Sequence, residues 1–372
     1  MSGPRVLVIG GYGGFGARLA RRLAGDGWTV LVAGRSLARA QAFAATLPAA
    51  LGLAADRTGD LAPALALHRP LLVVDAAGPF QGSSYAVADA CIAAGVHYLD
   101  LADGRDFVCG IGALDRAARA AGVAVISGAS SVPALSGAVV RELEQGFTSL
   151  DRIELAISAS DRAVAGTSVA TAILGYAGHP VVLRRGGRAV ERTGWHELRR
   201  VRYAVPGAPP LRRLVALVDV PDHALLAQRS AGGPATTFRA GPEFAFQVLA
   251  VWLLSWAVKW GWVKSLAPLA PWLRPLQRLT AWACSDRSAM MVEVWGEGAV
   301  QRWTLIAEHG DGPEIPVLAA QLLARKIAGG ELVAGARDAG ALLALAEFAP
   351  LFAGLAIRSA TTRSQPALRR SG

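Results

Sequence analysis

The chain has 372 residues, 53% of them hydrophobic and 18% charged, so it carries enough apolar material for two domains. Its formal net charge of +10 is almost entirely arginine, since lysine occurs only at positions 259, 264 and 326. No basic run with interleaved aromatic residues and no zinc-finger spacing is present, which excludes the common nucleic-acid-binding classes. Three scattered cysteines and six isolated histidines predict neither a disulfide framework nor a metal site.

The first predicted elements are a strand, a glycine-rich turn and a helix in direct succession. Residues 6–9 are apolar, and an amphipathic pattern covers residues 17–23. Between them, glycine allows backbone to approach a dinucleotide pyrophosphate, and the helix N-terminus favours the phosphate charge. The residues predicted to bind the dinucleotide here are Gly11, Tyr12, Gly13, Gly14, Phe15 and Gly16.

The second predicted strand, residues 28–33, indicates which dinucleotide binds. An NAD-binding domain usually ends this strand with an acidic residue that holds the ribose, but no Asp or Glu occurs between Asp26 and Asp56. The strand runs instead into Arg35 and Ser36, a guanidinium beside a hydroxyl, which suits a 2′-phosphate. We therefore predict NADP(H) in preference to NAD. The alternative is that Arg35 is only a solvated loop charge.

Helix and strand patterns then alternate as far as residue 126. They predict strands at 50–56, 71–75, 96–101 and 123–126, separated by helices at 37–47, 85–94 and 114–121. This alternation is typical of a doubly wound parallel sheet, and it predicts an α/β Rossmann domain over residues 1–147.

Two further cofactor contacts are predicted at strand ends of this domain. Asp56 ends the third strand, where it either accepts a hydrogen bond from the adenine amine or only caps the next turn. Ala77, Gly78 and Pro79 follow the fourth strand. Ligands in open α/β sheets sit at such carboxyl ends, so we predict that this loop lies beside the nicotinamide.

The candidate catalytic residues are Tyr98, Asp100 and Ser131, which lie at or after the fifth and sixth strands. Each has an alternative role. Tyr98 and Asp100 could hold a neighbouring loop, and Ser131 could join Ser130 in capping a helix that begins at Ala134. The tyrosine–lysine pair of short-chain dehydrogenases and the G-x-S-x-G elbow of hydrolases are both missing from the sequence.

The pattern changes near residue 151. Alternating and hairpin-like segments, including residues 181–190 and 290–306, predict a second α+β domain on a mainly antiparallel sheet at 148–312, serving the substrate and dimerisation. Helical patterns at 315–329 and 340–355 predict that residues 313–357 pack back on the first domain. Residues 358–372 are expected to form a disordered tail.

A Trp-rich hydrophobic segment at residues 244–282 holds six of the ten tryptophans. Its apolar run, 244–258, is shorter than the roughly 20 residues that span a bilayer. Three interpretations remain: peripheral membrane contact through 244–273, a lid over an apolar substrate, and a core helix or dimer contact. The first strand begins within five residues of the start, so we expect no signal peptide and a cytoplasmic protein, with the inner face of the membrane as a second location.

The first domain resembles the saccharopine dehydrogenase/reductase superfamily, particularly its saccharopine dehydrogenase-like oxidoreductases and trans-acting enoyl reductases. The resemblance rests on the glycine turn with residues 33–36, on residues 75–80 with 95–101, and on the loop 128–133. It implies an NADP-linked oxidoreductase acting on C–N, C=C or C=O groups. The chain departs from the enoyl reductases at Ala102-Asp103-Gly104, where they carry Gly-Glu after the Asp-Leu pair, and at Ala129-Ser130, where they carry Phe-Asp.

The residues and the resemblance together predict an NADP(H)-dependent oxidoreductase that moves a hydride to or from an apolar enone, carbonyl or imine. The missing carboxylates motivate a different hypothesis, a non-catalytic NADP-binding sensor or a membrane-associated interaction protein. A homodimer is a further expectation, and no nucleic-acid partner is expected.

Overall fold

The computed structural model describes residues 3–162, 167–270 and 284–364. Its strands, in chain order, are β1 Arg5–Ile9, β2 Thr29–Gly34, β3 Ala50–Ala54, β4 Leu72–Asp75, β5 His97–Asp100, β6 Ala124–Ser127, β7 Arg152–Ser158, β8 Pro180–Arg185, β9 Arg188–Thr193, β10 Arg199–Tyr203, β11 Leu211–Leu217, β12 Ala235–Gly241, β13 Ser288–Gly296, β14 Ala299–Ala307, β15 Gly335–Asp338 and β16 Ile357–Ser364.

The α-helices in the same residues are α1 Gly14–Gly25, α2 Leu37–Ala44, α3 Ala62–His68, α4 Ala86–Ala94, α5 Arg105–Gly110, α6 Asp115–Ala120, α7 Ser136–Glu144, α8 Thr167–Tyr176, α9 Asp222–Arg229, α10 Ala245–Lys259, α11 Ile315–Ala328 and α12 Leu345–Ala353. Together with the strands they form two compact units. The first takes residues 3–135 and 313–343, and the second takes the described parts of 136–312 and 344–364.

The first unit is built on a seven-stranded parallel sheet in the order β15-β6-β5-β4-β1-β2-β3. The chain reverses direction across the sheet at β1, which lies between β2 and β4. In open α/β sheets, ligands bind at such a switch point, beyond the carboxyl ends of the strands. The last four residues of β1 and all four of β4 are buried, as strands covered on both faces must be. The prediction of a Rossmann sheet is confirmed.

The second unit is built on a seven-stranded mixed sheet in the order β10-β11-β12-β7-β13-β14-β16. Only the β7–β12 pair is parallel, so the predicted mainly antiparallel sheet is also confirmed. The predicted hairpins are present as β13–β14 and as the separate two-stranded β8–β9. Positive φ angles at Gly186 and Gly187 make the tight turn of the second hairpin possible.

The ends of the predicted domains differ from the structure in two ways. The prediction that residues 313–357 pack back on the first domain is wrong from residue 344 onwards, because α12 packs against α7 and β16 in the second unit. The prediction of a disordered tail is wrong for residues 358–364, because β16 pairs with β14 along its whole length. Residues 365–372 lie outside the described residues.

Two elements of the first unit come from distant parts of the chain. α11 packs on α1, where Glu314 accepts from Arg18 and Arg22, and Asp26 accepts from both Arg325 and Gln321. β15 extends the parallel sheet beyond β6. The boundary between the units falls at residue 135 rather than the predicted 147, because α7 contacts β13, β14 and α9 of the second unit.

The Trp-rich segment is described as far as residue 270, where it forms α10 and the turns that follow, and its remainder lies outside the described residues. Val248, Ser255 and Val258 are the buried residues of α10. The two valines pack in an apolar cluster that includes Trp195 and Ala216. Within the described ranges, none of the helices combines the length and the apolar character needed to cross a bilayer.

Candidate functional site

The glycine turn joins β1 to α1 through a bend that side chains would obstruct. Gly10 has a φ of +74°, and the N–H of Gly13 donates to its carbonyl oxygen at 2.8 Å. A Cβ on Gly16 would lie 2.2 Å from the same oxygen, and a Cβ on Gly11 would lie 2.8 Å from the carbonyl oxygen of Val8. Glycine at 10, 11 and 16 is therefore a requirement of the bend itself.

The first turn of α1 is left open by the same residues. Gly13 is the N-cap and supplies no side-chain acceptor, and the first turn holds no acidic residue. Gly13 and Gly14 are exposed, and a Cβ on Gly14 would meet no atom within 4 Å. Free backbone N–H groups and the positive end of the helix dipole thus face an open space of the kind that a pyrophosphate occupies.

Tyr12 connects the glycine turn to the end of β2. Its hydroxyl oxygen accepts from the N–H of Ser36 at 3.0 Å, and its ring lies so close to Gly34 that a Cβ there would be 2.4 Å from it. The Arg39 guanidinium stacks over the same ring, 4.7 Å from its centroid. The exposed Arg35 completes this corner, which we call the Arg35–Arg39 corner.

The Arg35–Arg39 corner places two guanidinium groups and the Ser36 hydroxyl where the ribose end of a dinucleotide lies in this fold. Ser36 also caps α2, accepting from the N–H of Arg39 at 3.4 Å. Sequence analysis found Arg35 and Ser36 but missed Arg39. Its spacing of four residues from Arg35, at the start of a helix, was the available signal.

Asp56 caps its own turn. Its Oδ1 accepts from the backbone N–H and from the hydroxyl of Thr58, both at 3.0 Å. These two bonds, followed by the charges of Arg35 and Arg57, hold the pKa of Asp56 below its usual range. The capping alternative is therefore seen directly, and a bond from Asp56 to adenine stays a prediction.

The loop after β4 lies against the glycine turn. A Cβ on Gly10 would lie 3.1 Å from the carbonyl group of Ala76 and 3.2 Å from the Cα of Ala77. This contact brings Ala77, Gly78 and Pro79 beside the predicted pyrophosphate position, because β1 and β4 are neighbours in the sheet. The Gly78–Pro79 peptide bond is cis.

Arg57 holds this loop in place. Its guanidinium donates to the carbonyl oxygen of Pro79 at 3.0 Å and to the hydroxyl of Ser83, and it stacks over the Phe80 ring. It also approaches the buried Asp75, with Nη2 and Oδ2 3.2 Å apart, while Oδ1 of Asp75 accepts from the N–H of Ala77. Burial nevertheless raises the pKa of Asp75.

Asp100 holds the next two loops. Its side chain is fully buried, and its Oδ1 accepts from the N–H of Ala102 at 3.0 Å, from the N–H of Gly128 at 2.7 Å and from the hydroxyl of Ser127. Oδ2 has no hydrogen-bond partner in the described part of the chain. Burial, with a smaller contribution from the neighbouring Asp75, raises the pKa of Asp100 to about 7 against the lowering effect of those three bonds.

The other two catalytic candidates lie in different surroundings. Tyr98 is 1% exposed inside the core of the first unit, and burial raises the pKa of its hydroxyl well above the usual value. Ser131 is half-buried and begins an irregular turn, Ser131–Leu135. Within this turn Val132 is non-helical, and the alternative that Ser130 and Ser131 cap a helix beginning at Ala134 stays a prediction.

The geometry therefore unites the glycine turn, the Arg35–Arg39 corner and the loops after β4, β5 and β6 at one edge of the parallel sheet. A family model described as the saccharopine dehydrogenase NADP binding domain matches residues 6–126. The match lies within the first unit and shows that this part of the chain is similar to that domain. The resemblance inferred from the sequence is confirmed. The predicted cofactor, NADP, is confirmed as well, because the matching model is that of an NADP-binding domain.

Two solved structures share the fold over both units. The apo saccharopine dehydrogenase (L-Glu forming) of Saccharomyces cerevisiae is 13% identical over 97% of this chain and 100% of that chain, with a TM-score of 0.62. The amine dehydrogenase of Mycobacterium smegmatis is 12% identical over 91% and 95%, with a TM-score of 0.51. A comparison with curated protein sequences found no match.

Proposed function

We propose that the protein is an NADP(H)-dependent oxidoreductase that transfers a hydride to or from an apolar enone, carbonyl or imine. The observation that carries the proposal is the joining of the glycine turn to the Arg35–Arg39 corner through Tyr12. One side chain thus links the open helix N-terminus to the corner that holds Arg35 and Arg39. These are the two anion-binding features that a phosphorylated dinucleotide requires.

The preference for NADP(H) over NAD(H) follows from charge. A carboxylate at the end of β2 would bind the ribose hydroxyls of NAD and repel a 2′-phosphate. This chain has two arginines there instead, and the nearby Asp56 is engaged by Thr58. The NADP-binding character of the family supports the same choice.

When bound, the nicotinamide supplies or accepts the hydride. In the reducing direction the substrate double bond would gain a hydride on one atom and a proton on the other. The protein must therefore orient the substrate, exclude water and hold or deliver the proton.

Among the three catalytic candidates, we propose that Ser131 contacts the substrate and that Asp100 is a positioning residue. Ser131 is half-buried and follows the loop that Asp100 fixes at Gly128. Tyr98 is enclosed by the apolar core, which supports a structural role for its ring. Asp75 and Arg57 position the loop at 76–83 in the same manner.

The substrate class is supported by two observations of different kinds. The printed names of the two structural relatives describe dehydrogenases of saccharopine and of an amine, which favours the imine among the three groups. Of thirteen exposed large apolar side chains in the described residues, eight lie between 246 and 269. Such a concentration suits a protein that meets apolar molecules.

A turnover assay tests the proposal. Purified protein with NADPH would be offered apolar imines, enones and ketones, and NADPH oxidation followed by its absorbance. We expect substrate-dependent oxidation that the Ser131→Ala variant slows without weakening NADPH binding. Tight NADPH binding with no oxidation by any of the three classes would overturn the enzymatic proposal and favour the non-catalytic sensor.

A further inference from the structure

The outward face of α10 and the turns after it form an exposed apolar surface, which we call the α10 surface. Leu253 is 66% exposed and Trp262 is 74% exposed. The remaining exposed apolar side chains of this surface are Phe246, Leu249, Leu254, Trp260, Val263 and Leu269. A helix face in contact with water is normally polar, so this surface needs a partner.

The opposite face of α10 is already packed against the second unit. Val248 and Val258 are buried in the cluster with Trp195 and Ala216. Ser255 donates to the Trp252 carbonyl oxygen and lies 3.1 Å from the His196 ring. The inner face therefore anchors the helix, and the core of the second unit does not account for the outer one.

Four indole rings follow one another along the side of this surface. Trp252, Trp256, Trp260 and Trp262 have successive centroid distances of 6.1, 5.2 and 5.1 Å. The ammonium group of Lys259 stacks over the Trp256 ring at 4.5 Å. Indole rings beside a lysine combine an apolar body with polar and charged edges, the composition that favours the headgroup region of a bilayer.

The charge pattern decides between occupants. No Asp or Glu occurs between Glu243 and Asp286, whereas Lys259, Lys264, Arg274 and Arg278 do. The two arginines lie outside the described residues. A second copy of the chain would bring like charges together, but an anionic surface would neutralise them.

We propose that the α10 surface binds the surface of an anionic lipid bilayer. With 15 residues, α10 is about 22 Å long, less than the hydrocarbon thickness of about 30 Å. The helix then lies in the plane of the interface, with Leu249 and Leu253 directed into the lipid and the lysines at the headgroups.

The experiment is co-sedimentation of the full chain with vesicles of phosphatidylcholine alone or mixed with phosphatidylglycerol. Wild-type protein should bind the mixed vesicles, and added salt should weaken the binding. Leu253→Glu should lower the vesicle affinity by about tenfold or more. Leu67→Glu is the matched control, because Leu67 is 75% exposed on α3 and should leave the affinity unchanged.

NADPH binding and thermal unfolding of each variant establish that it is folded. Absence of wild-type binding to the anionic vesicles would overturn the proposal, as would an equal loss in the Leu253→Glu and Leu67→Glu variants. Self-association in analytical ultracentrifugation that Leu253→Glu abolishes, without vesicle binding, would assign the surface to a second copy instead.

Discussion

Two arginines at the start of α2 are the residues on which cofactor choice depends. Arg35 is free to reach a phosphate from the loop, and Arg39 is oriented by its stacking on Tyr12. A stacked guanidinium has already lost part of its side-chain freedom, so it binds an anion at a smaller entropic cost. The ring of Tyr12 is in turn fixed by Ser36 and Gly34.

We expect Arg35→Ala and Arg39→Ala each to weaken NADPH binding roughly 10- to 100-fold, since a charge-assisted hydrogen bond contributes about 1.5–3 kcal/mol. Binding of NADH, which lacks the 2′-phosphate, should change much less. Arg21→Ala is the matched control, because Arg21 also stacks on an aromatic ring, that of Phe43. Calorimetric titration measures all three variants, and equal losses for NADPH and NADH would argue against the phosphate role.

A second prediction concerns Asp100, whose pKa burial raises to about 7. Between about pH 4 and pH 7 the unfolded chain has lost this proton while the folded chain keeps it, so rising pH destabilises the fold through this group. Asp100→Asn removes the effect and keeps an oxygen acceptor. The unfolding free energy of the variant minus that of wild type should therefore rise by about 2 kcal/mol from pH 5 to pH 8.

Asp56 provides the control for that experiment. Hydrogen bonds from Thr58 hold its pKa low, so it is ionised in both folded and unfolded states across pH 5–8. The difference between Asp56→Asn and wild type should therefore stay constant over this range. Denaturant unfolding at several pH values measures both, and a constant difference for Asp100→Asn would contradict its assigned pKa.

Local spacing was enough to propose part of the candidate site. The glycines, Arg35 and the loop at 77–79 are found from sequence because their roles depend on neighbours in the chain. The contacts of Arg57 with Asp75 and of Asp100 with Gly128 could not be found this way. They depend on the register between strands, which the sequence does not display.

At the scale of elements, several strands of the parallel sheet end in the same kind of aspartate turn. An aspartate stands at or just after the carboxyl end and accepts from the N–H two residues further on. Such turns satisfy backbone groups that leave the sheet and fix the loops at the ligand-binding edge. The residues are Asp56, Asp75, Asp100 and Asp338.

The glycine turn allows a paired test at this scale. A Cβ at Gly16 would overlap the Gly10 carbonyl oxygen, so Gly16→Ala should lower the unfolding free energy by about 2 kcal/mol or more. Gly14→Ala meets no atom within 4 Å and begins a helix, so it should change stability by less than about 1 kcal/mol. Thermal and denaturant unfolding compare the two, and similar losses would contradict the packing described for the turn.

β15 and β16 are among the strands that were not predicted, and the reasons differ. β15 has only four residues, two of them charged, and it pairs with β6 from more than 200 positions away in the chain. β16 is an edge strand whose residues are mostly exposed, so it lacks the alternation that marks a half-buried strand. In both cases the pairing partner determines the structure.

At the scale of the whole molecule, the nucleotide-binding unit is assembled from two separate stretches of chain. β15 and α11 come from residues 313–343 and complete the sheet edge and one helical layer. At the α1–α11 contact, Glu314 forms an ion pair with Arg22, and Asp26 forms one with Arg325. Leu318 and Leu323 are buried on α11. The family match, which ends at residue 126, does not include these elements.

We therefore predict that residues 1–135 alone do not unfold as one cooperative unit, since they would expose β6 and one side of α1. Joining residues 313–343 to them through a flexible linker should restore a single cooperative transition and NADPH binding. Circular dichroism during thermal unfolding tests both fragments. Identical transitions in the two would show that α11 and β15 add nothing to the fold of this unit.

The most direct test of the central claim is a titration of the wild-type protein with NADPH and, separately, with NADH. The glycine turn and the Arg35–Arg39 corner predict saturable binding of NADPH to one site, at least about tenfold tighter than NADH. Failure to bind either nucleotide, or equal affinity for both, would contradict it.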